Sequence, residues 1–174
     1  MLALEPVHAG SPRLGRIEAL YRSAFPANER RPLEVLLKDE SGAGEVFAAM
    51  DGETFVGFCV LLTHMDLTHI LYFAVEPGLR RRGYGARILA AIRERYPAHR
   101  VLADLEASVP DAPNRDQREK RIAFYARNGY ALTEIRYRWE KEDYLVMSAG
   151  GNVTGPEFSA FWRHFYSLDA GYED

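Results

Sequence analysis

Tyr72-Phe73-Ala74-Val75-Glu76-Pro77-Gly78-Leu79-Arg80-Arg81-Arg82-Gly83-Tyr84-Gly85-Ala86 is the stretch that decides how this chain is read. An apolar run rich in aromatic and branched side chains predicts a strand over about 70–75, closed by Pro77. Three consecutive arginines and two glycines one residue apart follow, and a helix is predicted from Ala86. This order builds an anion site from backbone. Glycines permit a tight turn and a close approach to a ligand. The unpaired N–H groups of a first helical turn point outward, where the helix dipole favours negative charge. Guanidinium groups beside that opening grip phosphate with two bonds each.

Outward from this stretch, Ile88, Leu89 and Ile92 share one helix face, which stops before Pro97. Arg100 to Ala107 reads as the next strand, and a helix from about Arg115 to Asn128 ends at Gly129. Thr133, Ile135, Tyr137 and Trp139 alternate along a strand that turns at Glu140 to Asp143 and returns as Tyr144 to Met147. Thr154-Gly155-Pro156-Glu157 is a capping box, followed by Phe158, Phe161, Trp162 and Phe165 at helical spacing, so a docked helix is expected over about 155–167. Toward the N-terminus, Leu2 to Val7 reads as a strand, and Ser11-Pro12 as the cap of a helix ending near Phe25-Pro26. The Pro26 to Arg31 loop leads to a short helix with Leu33, Leu36 and Leu37 on one side, broken by Ser41-Gly42-Ala43-Gly44. Glu45 to Met50 and Thr54 to Leu62 flank Asp51-Gly52, a hairpin signal, and a polar loop with His64 and His69 precedes the opening strand. The class is α+β (or α/β-like), as one domain over 1–174.

Composition narrows the function. Hydrophobic residues make up 47% and charged residues 27% of the 174, ordinary for a globular domain. A net charge of −3 argues against a nucleic-acid binder working through its overall field. Cys59 is the only cysteine and lies in an apolar run, so a buried inert thiol is expected and a disulfide within the chain is excluded. His64 and His69 lack a matching ligand set, and no metal is expected. No leader is evident, nor an apolar run near the roughly 20 residues that span a bilayer. The expectation is a cytoplasmic protein without membrane contact.

These motifs in this order resemble the GNAT-type N-acetyltransferase superfamily. Arg80-Arg81-Arg82-Gly83-Tyr84-Gly85 fits its Arg/Gln-x-x-Gly-x-Gly/Ala signature, and Phe124-Tyr125-Ala126-Arg127-Asn128-Gly129-Tyr130 is similar to its Phe-Tyr-x-x-x-Gly-Phe/Tyr segment. The resemblance covers about 45–147. It implies a mixed, mostly antiparallel sheet whose central parallel strands splay, flanked by helices, and acetyl-CoA or a related acyl-CoA as donor. Backbone of Phe73, Ala74 and Val75 would meet the pantetheine arm, and Arg80, Arg81, Arg82, Gly83, Tyr84, Gly85 and Ala86 would hold the pyrophosphate. Relatives often carry Asn and Ala where this chain has Arg118 and Arg121; Asn114 is the candidate replacement. At least two of Arg115, Arg118 and Arg121 are expected on a solvated face.

Acetyl transfer to an amine requires removal of a proton, because a free alkylamine has a pKa of about 10. By position in the family, Tyr125 is the candidate acid for the departing thiolate, and Glu106 the candidate base. Glu76 and Glu29 are the alternatives and the candidate acceptor-binding carboxylates. A backbone N–H near Ala74 or Val75 would serve the oxyanion. The expected acceptor is a small-molecule or peptide amine, and Glu29, Glu140, Glu142 and Asp143 suggest a cationic one. The competing class is a non-catalytic acyl-CoA-binding module. Monomer and homodimer both remain open.

Overall fold

The structure is a computed structural model and describes residues 1–37 and 44–168. The predicted break at Ser41-Gly42-Ala43 lies outside the described residues. Seven strands form one mixed sheet in the order β1-β2-β3-β4-β5-β7-β6, flanked by five α-helices among the described residues. The chain divides into two compact units, Met1–Thr63 with Ile70–Pro97, and His64–His69 with Ala98–Asp174.

In the first unit, β1 (Leu2–Pro6) pairs antiparallel with β2 (Gly44–Asp51), and β2 pairs with β3 (Thr54–His64). Asp51 faces Thr54, so Gly52 and Glu53 form the turn, with Gly52 at a φ of 60° that suits glycine. The ladder skips Val56, because Ala49 pairs with Gly57 and Met50 with Phe55. That irregularity matters at β4 (Leu67–Val75): the Val56 carbonyl accepts from Glu76 N at 2.9 Å. Ile17, Leu20 and Tyr21 of α1 (Leu14–Ala24) and Leu33 and Leu36 of α2 (Leu33–Leu37) pack with Phe58, Val60, Tyr72 and Ala74 in one apolar cluster. On α3 (Tyr84–Arg95) the buried side chains are Ile88, Leu89 and Ile92. Cys59 is fully buried, which pushes its thiol pKa far up and keeps it inert.

The second unit holds β5 (Arg100–Glu106), α4 (Arg115–Arg127), the β6 (Ala131–Trp139)–β7 (Glu142–Ala149) hairpin and α5 (Gly155–Leu168). β7 pairs antiparallel with both β5 and β6. Tyr130 N donates to Tyr125 O and Gly129 N to Ala126 O, with Gly129 at a φ of 87°, the paired bonds that close a helix in a left-handed turn.

Three local expectations are corrected. Ser11 does not cap α1: the helix starts at Leu14, Arg13 holds the N-cap position, and Ser11 Oγ only accepts from Arg13 N at 3.4 Å. His64 and His69 are not on a loop, because β3 reaches His64 and β4 starts at Leu67 around a turn with Met65 at a φ of 53°. His69 is buried beside Asp104 (3.0 Å) and against the Trp162 ring, while His64 stacks on His164. Lastly, the β6–β7 turn is shorter than Glu140 to Asp143, since Asp143 already pairs with Arg138 in the ladder.

Candidate active site

The cofactor-loop residues all lie in the first unit and can be followed atom by atom. After Val75 the chain makes a 3₁₀ turn over Pro77–Leu79, and Arg80 folds back so that its Nε donates to Val75 O at 3.2 Å. Arg81 then takes a φ of 62° and Gly83 one of 80°. For Gly83 this is inexpensive; for Arg81 it is a strained geometry costing about 1–3 kcal/mol. Such strain between a strand and a helix aims the backbone. α3 starts at Tyr84 with Gly83 at the N-cap position and no side-chain cap hydrogen bond. Among the described residues no acceptor meets the N–H groups of Tyr84, Gly85 or Ala86, and the first helical bond is Arg87 N to Gly83 O at 3.1 Å. These donors stand where the helix dipole is positive.

The arginines divide by task. Arg87 is bidentate on Asp51 at 3.1 Å, and Tyr84 Oη donates to the same carboxylate at 3.0 Å, which ties the first turn of α3 to the β2–β3 hairpin. The Arg87 hydrogen bonds, then that of Tyr84, hold the Asp51 pKa below the usual carboxylate range. Arg81 and Arg82 are exposed and have no hydrogen-bond or ion-pair partner among the described residues. A doubly charged oxyanion group at the helix start would therefore find free main-chain donors and two free guanidinium groups.

Gly57 shapes the strand that leads into this loop. A Cβ there would fall 2.2 Å from Ala74 O and 3.1 Å from Val75 Cα, so only glycine fits beside the β4 backbone. Sequence reading passed over it, although a glycine inside a strand run is the usual sign of a close backbone approach. Glu76, the alternative carboxylate, pairs with Arg16 at 3.5 Å. Around Glu29 the loop is pinned by tyrosines: Tyr72 Oη donates to Glu29 O at 2.7 Å and accepts from Arg31 N at 3.1 Å, while Tyr21 Oη donates to Arg31 O at 2.9 Å. Burial pushes the Tyr21 pKa far up, so this phenol remains a donor.

The remaining candidates lie in the second unit. Tyr125 is 6% exposed, with its ring edge-on to Phe124 and Tyr130. Glu106 ends β5 and faces Arg118, with Nε to Oε2 at 3.1 Å. Arg118 is the centre of a network: Nε donates to Asn114 Oδ1 at 2.8 Å, one Nη to Ala107 O at 3.1 Å, and the other to Glu142 at 2.8 Å. Of Arg115, Arg118 and Arg121 on α4, Arg115 and Arg121 are exposed as expected, whereas Arg118 is 5% exposed. Asn114 thus spends its side-chain oxygen inside the protein. Among the described residues no group of three metal-ligating side chains occurs.

A strand, a strained arginine–glycine turn and an uncapped helix on a mixed sheet form a backbone site of the kind that suits a phosphate-type anion. Known proteins then give the family. A model described as an acetyltransferase (GNAT) domain matches residues 42–132, more than half of the chain, and the chain belongs to that family. A Bacteroides thetaiotaomicron protein assigned to the GNAT acetyltransferases superposes with a TM-score of 0.80 at 22% identity, over 98% of this chain and 99% of that one. The Escherichia coli ribosomal-protein-S18-alanine N-acetyltransferase gives 0.64 at 18% identity, over 89% and 97%. A GNAT acetyltransferase from Elizabethkingia anophelis, described with acetyl-CoA bound, gives 0.58 at 17% identity, over 85% and 97%. No curated protein matches the chain.

Proposed function

We propose that this chain is an acyl-CoA-dependent N-acetyltransferase that moves an acetyl group from acetyl-CoA to a primary amine by direct attack. The observation that carries the reading is the start of α3, where, among the described residues, three first-turn N–H groups lack acceptors and Arg81 and Arg82 have no partner beside them. Main-chain donors at a helix start suit a pyrophosphate, and the Elizabethkingia anophelis neighbour, described with acetyl-CoA bound, has the same fold. Acetyl-CoA supplies a thioester, an acyl group already activated for attack. Phe73, Ala74 and Val75 hold the pantetheine arm through backbone groups, and Arg80 to Ala86 hold the phosphates.

Glu106, directly or through water, takes the proton from the amine, with Glu29 and Glu76 as alternative carboxylates near the acceptor. Tyr125 gives a proton to the departing thiolate, whose ordinary pKa is about 8.5. The test is Tyr125→Phe. Turnover, read as CoA release, is expected to drop more than tenfold while acetyl-CoA affinity by calorimetry is kept. Unchanged turnover would remove Tyr125 from the chemistry. Acetyl-CoA binding without CoA release on any amine would replace the enzyme by the acyl-CoA-binding module.

A further inference from the structure

A second concave site lies wholly within the first unit. It is a cavity of about 320 Å³ lined by Glu18, Tyr21 and Arg22 of α1, Arg30 and Arg31 of the following loop, and Glu34 of α2, among others. Its size falls at the small end of small-molecule sites, roughly 300–1,000 Å³. The charge is uneven, with three guanidinium groups against two carboxylates. Among the described residues none of these five charged groups has an ion pair. Arg30 Nε is buried and has no hydrogen-bond partner among the described residues, an unusual state for a group that is always charged. Arg22 has an ordinary explanation in the last turn of α1, where the dipole favours a cation. Arg30 and Arg31 have no such explanation.

Their backbone is held in place. The Glu29 carbonyl on one side and the Arg31 N–H and carbonyl on the other are bonded to Tyr72 and Tyr21, whose rings meet edge-on at 4.8 Å. Glycine-free and doubly anchored, the loop presents two forked cations at little ordering cost. Tyr72 immediately precedes Phe73, the first residue assigned to the pantetheine arm, so the anchors connect this cavity to the donor strand.

We infer that the cavity between α1, the 26–32 loop and α2 binds the carboxylate of the acceptor, which is a small amine bearing a carboxylate group, such as an amino acid or a short peptide with a free C-terminus. Planar guanidinium forks match a carboxylate with two parallel bonds. The modest excess of positive charge favours a single carboxylate over a polyphosphate and disfavours a polycation. This assignment rests on the N-acetyltransferase reading and replaces the cationic acceptor suggested by the acidic loops.

The test uses binding and kinetics separately. Calorimetric titration of the full-length protein with a panel of N-acetylated amino acids and their carboxamides should show acids binding at least about tenfold more tightly, the scale of one charge-assisted pair. Arg30→Ala and Arg31→Ala should reduce the acids to the level of the amides, Arg30→Lys should fall between, and Glu18→Gln should not weaken the acids. In CoA-release assays the same arginine variants should raise KM for amino acids about tenfold with kcat changed less than twofold. Equal affinity for acid and amide, no effect of the arginine changes, or a preference for spermidine, an aminoglycoside or a phosphorylated amine would each overturn the assignment. Discrimination of acid from amide that depends on Arg30, in a protein that releases no CoA with any amine, would keep the carboxylate site and remove the catalytic reading instead.

Discussion

Two helix starts in this molecule solve the same problem in opposite ways. α5 closes its own: Thr154 at the N-cap and Glu157 three residues on exchange bonds, Glu157 Oε2 accepting from Thr154 N at 2.8 Å and Glu157 N donating to Thr154 Oγ1 at 3.4 Å. Arg100 adds a 2.9 Å bond to the same carboxylate. α3 has Gly83 and Ala86 at the equivalent positions, neither with a side chain able to supply a cap, and its first-turn donors meet no acceptor among the described residues. A capped start contributes about 1 kcal/mol to stability. Leaving a start uncapped forgoes that stabilisation, and next to a strained Arg81 it leaves donors that the proposed phosphate ligand would satisfy. The open start lies where the family motif lies, and the closed one outside it.

Transplanting the α5 solution onto α3 breaks the contrast most sharply. Ala86→Glu places a carboxylate at the position of Glu157, near the free N–H groups. Thermal or urea unfolding should show a gain of about 0.3–1 kcal/mol from charge at the helix start. Acetyl-CoA affinity should fall more than tenfold, since the carboxylate competes with phosphate for the same donors and repels it. Opposite signs on stability and affinity are the signature; affinity unchanged by the new carboxylate would show that this helix start does not meet the ligand. A smaller effect is expected from the side chains. Arg81→Ala with Arg82→Ala should weaken acetyl-CoA about tenfold, flatten the salt dependence of binding, and leave the unfolding midpoint unchanged, because neither guanidinium has a partner to lose among the described residues.

How far each region could be read beforehand follows from the range of its interactions. The α3 start (expected at Ala86, found at Tyr84), the Thr154–Glu157 box and the Gly129 terminus are written in a few consecutive residues, so spacing placed each to within two residues. Arg118 was not legible, because what buries it comes from Glu106, Asn114, Ala107 and Glu142, brought together by a helix, two strand ends and a loop. From sequence, its place amid Arg115 and Arg121 suggests a wet charged face. His69 was hidden similarly: a polar residue near a turn reads as loop, yet Asp104 and Trp162 cover it within the sheet. Met65 at positive φ supplied a turn with none of the usual glycine or asparagine signals. The cavity at Arg30 lay beyond sequence reading, since only the fold shows that two tyrosines fix this loop and that, among the described residues, Arg30 and Arg31 form no ion pair.

The closed start yields the smaller effects. Thr154→Ala should cost about 1 kcal/mol in unfolding free energy and leave acetyl-CoA affinity unchanged, the inverse of the α3 variants. Its carboxylate adds a pH dependence of known sign. The Thr154 backbone hydrogen bond, then Arg100, then the Thr154 hydroxyl hold the Glu157 pKa below its ordinary value. The folded-state value therefore lies below the unfolded one, about 4.3 for a free glutamate. Glu157 contributes its full stabilisation above that value and loses it as pH falls through the depressed folded value. In unfolding titrations between about pH 5 and 2, Glu157→Gln should lie below the parent at the upper end and converge with it at the lower end. The group is solvent-exposed, so added salt should shrink the difference between the two curves. A constant gap across that range would assign the stabilisation to hydrogen-bond geometry alone, which a neutral amide partly keeps, and would show that charge at a helix start matters less than the α3 argument requires.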